Sequence, residues 1–130
     1  MEQHYFGIPP KGTWGVVIVT DFDVDEEYVE LKAQLRSFGL SSKSADKALS
    51  ILSNYNTGMA VSNELLRMSA IYISDATSPS QFWDTCAHEL AHVVTAIIDA
   101  YDVPYYSEDA AYLSGFLMRQ LVSEIGEPCI

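Results

Sequence analysis

Residues 78–101 read SPSQFWDTCAHELAHVVTAIIDAY, and the fold is worked out from this stretch. Ser78 stands where an N-cap belongs, and Pro79 falls at the first helical position, where its missing N–H is no loss. Gln81 follows three residues after the cap, as in a capping box. The spacing predicts a helix from Ser78 to about Tyr101, ended by Asp102, Val103 and Pro104. Phe82, Trp83, Cys86, Leu90, Val93, Val94, Ile97, Ile98 and Tyr101 make it apolar over most of its circumference, which is the pattern of a core helix. The polar residues are not scattered. Thr85, His88, His92, Thr95 and Asp99 follow steps of three and four and form one narrow stripe. On a buried helix such a stripe must face a cleft or find polar partners.

Upstream, Trp14–Thr20 (WGVVIVT) is rich in β-branched residues and reads as a buried strand. Tyr28, Leu31, Leu35 and Phe38 then recur at helical spacing, with acidic residues in the first turn and Gly39 just past the end. Ala45, Ala48, Leu49 and Leu52 predict a short helix over Ser44–Ser53. Asn54–Gly58 (NYNTG) is a turn cluster. Met59–Ser62 and Arg67–Ser74 read as two strands of a hairpin, with Ile71 and Ile73 on one face and Ala70 and Tyr72 on the other. Downstream, Ser107 caps a last helix that carries Tyr112, Phe116, Leu117, Leu121 and Ile125 and ends at Gly126. Met1–Gly12, with two prolines and two glycines, reads as an irregular arm. The order β, α, α, β, β, α, α gives an α+β class: a small mixed sheet of about three strands packed on a helical half, with the Ser78-capped helix at its centre. The organisation expected is an arm over 1–12, one domain over 13–126 and a frayed tail over 127–130.

The chain has 130 residues, one domain's worth, and 48% of them are hydrophobic against 19% charged, an ordinary globular composition. Eighteen acidic residues against seven basic ones leave a formal net charge of −11. Such a surface repels phosphate backbones and anionic bilayers, so neither nucleic acid nor membrane is expected as a partner. Cys86 and Cys129 are too few for a disulfide framework. The opening MEQHYFGIPPKG shows no basic region followed by an apolar one, and no apolar run is long enough to span a bilayer. A soluble, cytoplasmic protein is the expectation. The acidic run Asp21–Glu27 lacks the glycine and distal glutamate of a calcium loop and reads as a solvated helix start.

Residues 88–92 are HELAH. Four residues along a helix return nearly to the same face, so His88 and His92 can aim both imidazoles at one point, as a tetrahedral zinc requires. Glu89 lies one step round, within reach of a water on that metal. Zinc lowers the pKa of its water to about 7, and a nearby carboxylate can take the proton and return it. These residue types at this spacing fit metal-assisted hydrolysis of an amide. A third protein ligand is then needed. His4 sits in the arm and is discounted. Glu108 opens the last helix, and an extended 102–107 loop spans up to about 20 Å, enough to bring it back. Asp109 is its neighbour and shorter by one methylene. A tight helical hairpin would instead bring Arg119 and Gln120 to the histidines, and neither is a ligand.

HELAH followed by a helix beginning SEDAAYLSG resembles the zincin metallopeptidases, specifically the gluzincin branch. The chain length is similar to that of the minimal single-domain members, the minigluzincins, and the chain also resembles small zincin-like proteins of phage or mobile-element origin. The likeness covers about Thr85–Gly115. It implies a Zn2+-dependent peptidase acting on peptide or protein substrates, with a small sheet above the motif helix whose edge strand pairs with the substrate. By position it makes His88, His92 and Glu108 the metal ligands and Glu89 the general base. Ala70–Ser74 (AIYIS) is the strand expected to form that edge. The chain departs from larger relatives in having no separate C-terminal lobe and no histidine after the motif. Tyr112, Tyr105 or Tyr106 would have to donate to an oxyanion. Two other readings remain open: a zincin-like scaffold used for binding without turnover, and a latent protease that needs a partner or processing.

Overall fold

The computed structural model describes residues 1–8 and 13–130. Its elements in chain order are β1 (Glu2–Ile8), β2 (Trp14–Thr20), α1 (Tyr28–Ser37), α2 (Ser42–Leu52), β3 (Gly58–Asn63), β4 (Met68–Ile73), α3 (Pro79–Ala100) and α4 (Glu108–Ile125). The strands form one open sheet in the order β1-β2-β4-β3. β2 and β4 pair in parallel, and the two outer pairs are antiparallel. The class is α+β with a small mixed sheet, as expected.

The period of two along each strand sorts its side chains between two cores. Val16, Ile18, Ile71 and Ile73 pack with Phe82, Cys86, Leu90, Val93, Leu117 and Leu121, beneath α3 and α4. Val19, Ala70 and Tyr72 pack with Leu31, Leu35, Leu49 and Leu52, beneath α1 and α2. The opposition of Ile71 and Ile73 to Ala70 and Tyr72 is therefore as the alternation predicts. Both faces of β2 and β4 are covered, which is why these strands read as nearly continuous apolar runs. The helices are divided between the two faces and do not form one half.

Three expectations need correction. The segment read as an irregular arm contains β1, so the sheet has four strands, not three. Phe6 and Ile8 drop into the core from alternate positions, and this short alternation is easily overlooked beside Pro9 and Pro10; residues 9–12 lie outside the described residues. Second, Ala70–Ser74 is not an edge. β4 is central, bonded to β2 on one side and β3 on the other, so its backbone cannot accept an added strand. The open edges belong to β1 and β3. Third, the C-terminal tail is docked. The Ala76 N–H donates to the Cys129 carbonyl at 2.9 Å, and Cys129 packs against the core.

The start of α3 is as its sequence predicts. Ser78 Oγ accepts the Gln81 N–H at 3.2 Å, and Pro79 is the first helical residue. Ser78→Ala should lower the unfolding free energy by about 1 kcal/mol, read as a fall in the urea midpoint with an unchanged slope. No helix among the described residues is long and apolar enough to cross a membrane.

Candidate metal centre

α3 lies over β4 and the edge strand β3, buried through Phe82, Cys86, Leu90, Val93 and Ile97. That burial fixes the rotation of the helix and so decides where its polar residues point. His88 and His92 come out exposed, and Glu89, one step round, lies beneath them at 5% exposure. One ligand atom from each of the three lies within 4.8 Å of the others. The imidazole rings meet edge to face with centroids 5.1 Å apart. Two nitrogens on a tetrahedral zinc, each about 2.0–2.1 Å from the metal, stand about 3.4 Å apart. Two imidazoles and a carboxylate are also a donor set suited to a borderline-soft divalent ion. The residues present therefore fit a metal, and they do not identify which one.

Burial raises the Glu89 carboxyl above the usual carboxylate range, and His88 and His92 pull against that rise. The burial comes from β3. At Gly58 the strand backbone runs so close that an ideal Cβ there would stand 2.8 Å from Glu89 Cγ. The NYNTG stretch reads as a turn in sequence, and nothing in it names Gly58 as a neighbour of the site. The one available signal is a glycine at the head of a strand, which often marks close backbone approach.

The other candidates are placed as follows. Glu108 and Asp109 are exposed in the first turn of α4, outside the group formed by His88, Glu89 and His92. α4 packs on α3 and against β1, the strand at the opposite edge from β3. Arg119 lies over the Phe116 ring. Thr85 and Thr95 donate to the carbonyls of Gln81 and Ala91, one turn back along their own helix. Asp99 is exposed. Tyr105, Tyr106 and Tyr112 are all more than 70% exposed. His4 sits at 3.7 Å from both Glu2 and Glu124, apart from the centre. Cys86 is a buried core residue, as read from sequence, and its thiol is pushed up to about 12 by burial.

Comparisons of the chain with protein-family models, with curated proteins and with solved structures find no match. Fold and site together define an α+β protein whose third helix carries a His-Glu-x-x-His group close enough to hold a metal.

Proposed function

We propose that the protein is a zinc-dependent peptidase. The observation that carries this reading is a nearly buried carboxylate, Glu89, grouped with two exposed imidazoles of the same helix, beside a strand whose outer edge is open. Zinc bound there would polarise a peptide carbonyl and lower the pKa of its water to about 7. His88 and His92 hold the ion, and both present their rings to solvent, where a substrate has access. Glu89 accepts the proton of the attacking water as the new C–O bond forms, and it delivers that proton to the amine nitrogen as the C–N bond breaks.

An extended peptide adding to β3 would run past Glu89, because β3 touches its stem. Main-chain hydrogen bonds would then hold the scissile bond beside the centre. The charge of −11 favours neutral or basic substrates. Glu108 is the third ligand in this proposal, on the strength of its place at the head of the following helix. The two free thiols suit a reducing compartment such as the cytoplasm.

A second reading is favoured by the exposure of Glu108 outside the group: the same scaffold used for binding, or a latent protease completed by a partner or by processing. Metal analysis together with a general peptide-cleavage screen separates the two. The peptidase reading expects about one zinc per chain, lost in His88→Ala, and weakened in Glu108→Ala by more than the 10–100-fold typical of an outer-shell change. It also expects cleavage in a general peptide screen. Stoichiometric zinc without cleavage supports the second reading, and a Glu108→Ala protein that binds zinc as well as the parent removes that residue from the ligand set.

A further inference from the structure

Gly58 opens β3 on the side of the sheet that faces α3. An ideal Cβ at that position would stand 2.7 Å from Thr85 Cγ2, 2.8 Å from Glu89 Cγ and 3.1 Å from the Tyr72 carbonyl oxygen. Non-bonded carbons rest at about 3.5–4.0 Å, so something must move to admit even one methyl group. Backbone conformation does not demand glycine here, because Gly58 is not among the residues of positive φ. What demands it is space.

The three neighbours differ in how easily they give way. The Tyr72 carbonyl belongs to the central strand, which is held on both sides. Thr85 is tied by its hydroxyl to the Gln81 carbonyl at 3.1 Å, and turning its methyl away breaks that bond. The Glu89 stem is unbranched and forms the flexible member of the set. A side chain at position 58 therefore relaxes by swinging Glu89 outward, and its carboxylate leaves the group it forms with the imidazoles. His88 and His92 are not among the atoms a Cβ at 58 would meet.

We propose that Gly58 is the positioning residue for Glu89: the missing side chain lets the edge strand press the carboxylate into line with His88 and His92. The inference rests on the reading of Glu89 as the general base, and it makes β3 both the wall that aims the base and the edge that faces substrate. The test is Gly58→Ala, prepared alone and in a Glu89→Ala background.

In a crystal structure of Gly58→Ala the Glu89 carboxylate should lie outside the 4.8 Å group with both imidazoles in place, and zinc content should match the parent. Against a peptide that the parent cleaves, kcat should fall by about 10²-fold, the loss a roughly 1 Å misplacement produces, with KM unchanged. The drop in melting temperature caused by Gly58→Ala should shrink by at least half when Glu89 is alanine, because the crowded stem is gone. Should Gly58→Ala alone fail to fold, recovery of folding in the double variant supports the proposal equally. A carboxylate still within 4.8 Å of both imidazoles, or an equal melting loss in both backgrounds, overturns it and assigns the conflict to Thr85 and Tyr72. Absence of turnover in the parent refutes the peptidase reading separately, and the crystal and melting measurements still decide the role of Gly58.

Discussion

Glu89→Gln should leave zinc content unchanged and cut peptide turnover by about 10²–10⁴-fold, the contribution expected of a positioned general base. Glutamine keeps the size and packing of the side chain against β3 and removes only the ability to accept a proton. Loss of kcat with KM retained is the expected signature, because the change acts on the transition state and not on substrate binding. Turnover equal to that of the parent would remove Glu89 from the chemistry.

The same substitution has a second readout in the metal-free protein. Burial raises the Glu89 pKa in the folded state, so the folded chain binds its proton more tightly than the unfolded chain does. Below the ordinary glutamate pKa of about 4.3 both states are protonated and the residue carries no ionisation penalty. As pH rises through that value toward the raised folded value, the unfolded state ionises first and stability is lost. Glu89→Gln escapes this loss. It should melt higher than the parent at pH 7, and the difference should vanish near pH 3. A gap of the same size at both values would show that the carboxyl is not raised by its surroundings.

Phe82→Ala should cost about 3–5 kcal/mol of unfolding free energy, a large share of the roughly 5–15 kcal/mol a domain possesses. Phe82 is fully buried in the cluster that joins α3 to Ile71 and Ile73 of β4. Its ring meets Trp83 edge to face at 5.2 Å. Removing it leaves a cavity between the sheet and the first turns of α3. The urea midpoint should fall sharply at constant slope, and zinc affinity should fall with it, because Phe82 helps hold the rotation of the helix that carries both histidines. A loss under 1 kcal/mol would mean that the face is not closely packed.

The legible parts of this protein are those whose cause is local. Ser78, Pro79 and the three-to-four spacing from Phe82 to Ile98 define α3 because capping and burial act within a few residues. His88, Glu89 and His92 come together for the same reason, since one turn of helix is enough to place them. The two-sided burial of β4 shows in the alternation of Ile71 and Ile73 with Ala70 and Tyr72. That same burial marks β4 as central, because an edge strand seldom needs apolar residues on both faces. β1 was hidden because Phe6 and Ile8 give only a brief period of two, and the prolines that follow read as a break.

By itself the amino-acid order determined the helices, the two faces of the inner strands and the pairing of two imidazoles with one carboxylate, all of them consequences of interactions within a turn or a pleat. Only the tertiary structure decided that β3 is an open edge, that Gly58 lies against Glu89, and that Glu108 stands on a helix packed toward the opposite edge of the sheet. These depend on which distant segments meet, and strand order and helix placement follow from the combined burial of both cores, a quantity no short stretch of the chain contains.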